Sequence, residues 1–174
     1  MKRLELLKEI VPGRAPVAVP WDSGARLSWQ AVAEAASQRG WRLTSFEVRD
    51  LAGIEAAVRA ASAAKAAALL PLGGLAFRHA DAIAELALAS RLPAAAASRA
   101  ALRQGGLISY GADLDAIWRR AAVFVDKIRR GADPATLPVE QPTVFRLAIN
   151  LRTAKALGLT VPQSLLLRAD EVVE

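Results

Sequence analysis

The stretch from Pro16 to Val48, PVAVPWDSGARLSWQAVAEAASQRGWRLTSFEV, decides the fold. Its opening, PVAVPW, is a short apolar run that reads as a buried strand, closed by the polar loop Trp21-Asp22-Ser23-Gly24. The middle, LSWQAVAEAASQRG, has helical composition and finishes on Gly40, a residue type that commonly closes a helix. WRLTSFEV then reads as a second strand. Strand, helix and strand in succession predict a right-handed crossover between two parallel strands.

The alternation continues in both directions. Upstream, Leu4, Leu7 and Val11, with Leu6 and Ile10 beside them, form an amphipathic first helix expected to stop at Pro12-Gly13. Downstream, Asp50 is placed to cap a helix carrying Ile54, Val58 and Ala61 on one face, which leads into a third strand, AALLPL. After the loop Gly73-Gly74, AFRHADAIAELALASR is expected as one helix ending before Pro93. A weak strand, AAAA, follows, with Ser98 positioned to cap the short helix RAALRQ, and Gly105-Gly106 turn the chain into a fifth strand, LISYG. The clearest helix runs from about Asp113 to Arg130, with Leu114, Ile117, Ala121, Phe124, Val125 and Ile128 on one stripe. Five strands separated by helices predict an α/β fold. Its core is a doubly wound, Rossmann-like parallel five-stranded sheet of order 2-1-3-4-5, covered on both faces.

A tail extends this unit. The segment 132–143, ADPATLPVEQPT, holds three prolines and no periodicity, so it reads as an extended crossing segment. Phe145, Leu147 and Ile149 then alternate with Val144, Arg146 and Ala148 in a sixth strand, and Asn150 caps the turns LRTAKAL. Leu165, Leu166 and Leu167 add an apolar patch. The expected organisation is an α/β lobe over 1–131, the crossing segment 132–143, and a C-terminal strand-helix extension over 144–174. Such an extension would leave a contiguous apolar surface and an open strand edge, so a homodimer through residues 139–174 is expected.

Composition narrows the function classes. The chain has 174 residues, 53% hydrophobic and 23% charged, enough for one well-buried core. Its formal net charge is +6, but the basic residues are scattered without aromatic interleaving, so no nucleic-acid surface is expected. No apolar run approaches the roughly 20 residues of a membrane span. The absence of cysteine excludes disulfides, thiolate metal sites and a cysteine nucleophile. His79 is the single histidine and sits in a helical stretch, which makes neither a metal site nor a triad. No cofactor and no enzymatic activity are expected.

Open α/β sheets bind ligands at the carboxyl ends of their strands. The candidate ligand-binding residues are therefore Trp21, Asp22 and Ser23 after the first strand, and Gly73, Gly74 and Phe77 after the third. Ser98 follows the fourth, and Tyr110, Gly111 and Asp113 follow the fifth. Aromatic rings there would stack on an apolar ligand body, and Asp22 would hold an ammonium group. Asp22, Ser98 and Asp113 read equally well as helix caps, Trp21 and Tyr110 as plugs in the mouth of the sheet, and Gly73-Gly74 as a turn.

The C-terminal sequence GGLISYGADLDAIWRRAAVFVDKIRRGADPATLPVEQPTVFRLAINLRTAKALGLTVPQSLLLRADEVVE resembles the carboxyl end of tryptophan/tyrosine-type substrate-binding proteins of ABC transporters. The shared features are SYG, the LPVEQPT crossing, the INLRTAKALGL strand-helix and the LLLRAD ending, while KRLELLKEIVPG and VAVPWD resemble the hinge-region helix and the first strand of that family's second lobe. Two departures stand out: Asp22-Ser23 occupies the usual place of Asn-Pro, and Gly73-Gly74 that of an Asp-Pro pair. The resemblance implies two lobes like those of type I periplasmic binding proteins, a small solute in the cleft between them, and an ABC permease as partner. It also implies that this chain is the carboxyl-terminal half only, truncated and non-catalytic, with the tail packing on a first lobe that it lacks. The family is exported, periplasmic or lipid-anchored. Without a signal the chain would be cytoplasmic if Met1 is its natural start, where a stand-alone ligand-sensing or scaffold module of the same fold is the alternative.

Overall fold

The computed structural model describes residues 1–11 and 13–174. Helix α1 (Lys2–Ile10) precedes strand β1 (Val17–Trp21), helix α2 (Arg26–Gln38) and strand β2 (Leu43–Glu47). Then come α3 (Leu51–Ala63), β3 (Ala68–Leu69), α4 (Gly74–Arg78), α5 (Ala80–Ala89), β4 (Ala95–Ala96) and β5 (Ile108–Ala112). The chain finishes with α6 (Leu114–Arg129), β6 (Phe145–Asn150), α7 (Leu151–Ala156), α8 (Gln163–Leu166) and β7 (Glu171–Val173). Helix α1 ends where a stop was expected, although Pro12 itself lies outside the described residues.

The predicted crossover is present. β1 pairs in parallel with β2 from Val17↔Leu43 to Trp21↔Glu47, and on its other side with β3. The strand orders are β2-β1-β3 and β4-β5-β6-β7, joined by a parallel bridge between Leu69 and Ala94. The sequence-based order 2-1-3-4-5 is thus extended by β6 and β7 rather than closed at β5.

Side-chain size separates the two faces. Val17, Val19 and Trp21 of β1 join the core formed with Leu4, Leu7 and Ile10 of α1 and Val32 and Ala36 of α2. Between them Ala18 faces the opposite way, into a second cluster with Ile54, Val58 and Ala61 of α3 and Ile83 and Ala87 of α5. Alternate side chains leave a strand on opposite faces, so a strand covered twice is buried at every position, as β1 is.

The chain divides into two compact units. One comprises Met1–Tyr110 together with Leu147–Glu174, and the other comprises Gly111–Arg146. Burial along the tail bears on the apolar surface expected there. The tail encloses part of its apolar surface: β6 lies between β5 and β7, with Leu147 5%, Ala148 1% and Ile149 0% exposed, and Leu165 of α8 0% exposed, whereas Val144, Phe145 and Val172 stay exposed. Leu147, Ile149 and Leu165 enter the core that contains α1, while Ala148 is small enough to sit against Ala80, Ala84, Ala101 and Leu102 on the other face. Only Leu167 of the leucine patch remains largely exposed. Burial of each such large side chain stabilises by about 1.5–3 kcal/mol.

Helix α6 differs from the tail. It carries the apolar stripe read from the sequence, and it contains no buried residue. Leu114, Trp118, Val125 and Ile128 are 49%, 70%, 58% and 42% exposed. Within its own unit it is held by capping and by Arg120, whose guanidinium bonds both carboxylate oxygens of Glu140 and lies over Phe124.

The expected single helix over 76–91 is two, broken at His79. Ala76, Ala80, Ile83, Ala84 and Ala87 remain on the buried side across the break. Among the described residues no helix is long and apolar enough to cross a membrane.

Candidate functional site

The carboxyl ends of β1 and β2 and the start of α4 surround an open cavity of about 500 Å³. Asp22 and Ser23 reach it from the loop after β1, and Gly74, Leu75 and Arg78 from α4. Glu47, Val48 and Arg49 complete it from the end of β2. The register Trp21↔Glu47 sets the β2 residues level with the β1 loop, and Val48 N–H continues the ladder to the Trp21 carbonyl at 2.9 Å.

Asp22 fixes the shape of this wall. Its Oδ2 accepts the Leu75 backbone N–H at 2.8 Å, tying the loop after β1 to the first turn of α4 across a separation of 53 residues. The carboxylate needs Gly73 to do so. A Cβ on Gly73 would stand 2.3 Å from Oδ2 and 2.6 Å from Cγ, and the residue has φ +101°, a conformation that side chains other than hydrogen disfavour. Asp22 therefore caps a helix, though it is α4 and not the helix that follows it in sequence.

Trp21 lies behind the wall. It is 7% exposed, its ring stacks on Trp29 at 6.1 Å and 8°, and its indole N–H donates to Ser45 Oγ at 2.8 Å. Phe77, on α4, is 52% exposed. Ser98 Oγ accepts the Ala101 N–H at 3.3 Å, the capping role, and Tyr110 is partly buried against the larger core. Neither residue lines the cavity.

Gly111 and Asp113 belong to the second unit. There Asp113 Oδ1 accepts the Ala116 N–H at 3.1 Å and its Oδ2 accepts from Arg146 Nε at 3.0 Å. The bond from Arg146 and then the backbone bond hold its carboxyl below the usual carboxylate range. Of the ten candidates the structure gathers Asp22, Ser23 and Gly74 on one cavity, with Gly73 as the position that lets Asp22 turn inward.

Glu47, Val48, Arg49, Leu75 and Arg78 were not among the candidates. The loop after β2 was passed over, although order 2-1-3 places the end of β2 directly beside that of β1. That order was the available signal. Among the described residues no three histidine, cysteine or carboxylate side chains gather as metal ligands.

Comparison with known proteins gives a family and a shared fold. The family described as ABC transporter substrate binding protein matches residues 1–173. No curated protein matches the chain. Three solved structures are similar in fold. A conserved domain protein from Vibrio cholerae O1 biovar El Tor is 24% identical with a TM-score of 0.88 over 98% of this chain. An ABC domain in complex with L-Trp from Streptococcus pneumoniae is 23% identical with a TM-score of 0.85 over 99% of this chain. A ligand-free, open substrate-binding protein with adhesive properties from Clostridium difficile is 20% identical, with a TM-score of 0.70 over 99% of this chain. In each case this chain spans 59% of the other's length.

Proposed function

This chain belongs to the family of ABC transporter substrate-binding proteins, and from that premise we propose that it is a solute-binding lobe of an ABC importer. It takes an amino-acid-like or other small solute, performs no reaction on it and delivers it to the importer's permease. The observation that carries this reading is the open cavity of about 500 Å³ at the carboxyl ends of β1 and β2, where an α/β sheet presents its loops to ligand. A structural neighbour in complex with L-Trp supports the choice of an amino-acid-like solute.

The reading as one lobe of two is supported by α6. A 16-residue helix with an apolar stripe and no buried residue is suited to a partner, and the neighbours' chains contain further sequence that this chain does not span. We assign that stripe to the remainder of a two-lobed binding protein. Pairing of two copies through residues 139–174 has less support, because Leu147, Ile149 and Leu165 are already enclosed by the chain's own core.

A thermal-shift screen with amino acids and sugars tests the reading. Ligand at a hundredfold excess over its Kd stabilises by about 2.7 kcal/mol, which corresponds to a rise of roughly 5–11 °C in Tm for a chain of this size. A flat response across both ligand classes sinks it.

A further inference from the structure

The cavity at the ends of β1 and β2 carries four charged side chains, Asp22, Glu47, Arg49 and Arg78, and the two carboxylates already have partners. Asp22 Oδ2 accepts the Leu75 N–H at 2.8 Å, and Glu47 lies 3.9 Å from the Arg26 guanidinium. Among the described residues no carboxylate pairs with Arg49 or Arg78, although both share the wall with Asp22 and Glu47. The four charges cancel formally, and what sets the two arginines apart is that their guanidinium donors are left without a carboxylate partner among the described residues while both carboxylates are engaged.

Both arginines stand on fixed supports. Arg49 follows the end of β2, whose register against β1 is set through Trp21↔Glu47, and it precedes Asp50, which caps α3 by accepting the Gly53 N–H at 2.8 Å. Arg78 is the last residue of α4, and the opening turn of that helix is fixed by Asp22. A guanidinium is a planar fork of N–H donors that matches the two oxygens of a carboxylate or phosphate.

We infer that Arg49 and Arg78 make this an anion-recognising cavity, holding a solute through its carboxylate or phosphate group. The inference rests on the solute-binding reading above and narrows it to anion-bearing solutes. Ser23, which also lines the cavity, adds a hydroxyl that can donate to the same group. The chain's net charge of +6 raises the local concentration of such solutes.

Isothermal titration of the full chain with L-glutamate, inorganic phosphate, glucose 6-phosphate and glucose tests it. At least one anionic probe is expected to bind, more weakly as salt is raised, and the carboxylate and phosphate arms show which group is preferred. Arg49→Gln and Arg78→Gln should each weaken that binding by about tenfold or more, the scale of a lost charge-assisted bond. Both side chains are exposed, so Tm should stay at the wild-type value. Arg59→Gln, on α3 and paired with Glu55 at 3.6 Å outside the cavity, should leave binding unchanged. The inference is overturned if only glucose binds, if either cavity variant binds like wild type, or if Arg59→Gln weakens binding equally. Glucose binding alone would leave the solute-binding reading standing. Silence from all four probes and from the amino-acid and sugar screen would remove both.

Discussion

Gly73 has no room for a side chain, and that fact links a single residue to the shape of the site. An alanine there would bring Cβ within 2.3–2.8 Å of three Asp22 carboxylate atoms, at a φ of +101°. Either Asp22 swings away and releases the Leu75 N–H, or the backbone moves. Strained backbone of this kind costs about 1–3 kcal/mol, so Gly73→Ala should lower unfolding stability by that amount in urea titrations. Asp22→Ala removes a cap and should cost about 1 kcal/mol. The two should not add. Without the carboxylate the new methyl meets nothing as close, so the double variant should be more stable than the sum of the single losses predicts. Strict additivity would show that Asp22 and Gly73 do not share one constraint.

At the scale of elements, β6 and α6 differ in what covers their apolar faces. Both carry apolar faces, but Ile149 of β6 is 0% exposed whereas Ile128 of α6 is 42% exposed. Ile149→Ala should therefore cost about 2–5 kcal/mol, while Ile128→Gln should change the stability of this chain by no more than about 0.5 kcal/mol. Chemical unfolding of the two variants separates them, and equal losses would contradict the burial seen here. The contrast also shows what was legible in the sequence. Features decided within a few residues were readable: the caps at Asp50, Ser98, Asp113 and Asn150, and the crossover through β1, α2 and β2. An apolar face, by contrast, states that a partner is required and not which one. Leu147 and Ile149 read the same whether they meet α1 of their own chain or another body. The site followed the same rule, since Asp22 and Ser23 were visible as a strand-ending polar loop. Arg49 and Arg78 became recognisable only once the neighbouring strand and helix were placed.

For the whole molecule, the decisive link is between the two ends of the chain. Leu4, Leu7 and Ile10 of α1 share a core with Ile149 and Leu165, and Glu9 accepts from Arg168 at 3.1 Å across 159 residues. Strand β7 adds to β6 through Ala148↔Glu171, Ile149↔Val172 and Asn150↔Val173, and Leu147 and Asp170 exchange two hydrogen bonds of 2.8 Å. The exposed ion pair adds little, on the order of 0–1 kcal/mol; burial is the larger effect. A chain ending at Gly158 loses Leu165, worth about 2–5 kcal/mol in a core, together with Val161 and the paired edge of β6. Set against a total stability of about 5–15 kcal/mol, that loss should abolish cooperative unfolding or cut the urea midpoint severely. If the last residues were instead shaped for a different body, their removal would leave the midpoint of the remaining chain almost unchanged. Circular dichroism of the two chains through a urea series distinguishes these outcomes, because a core built from both termini cannot survive the loss of one.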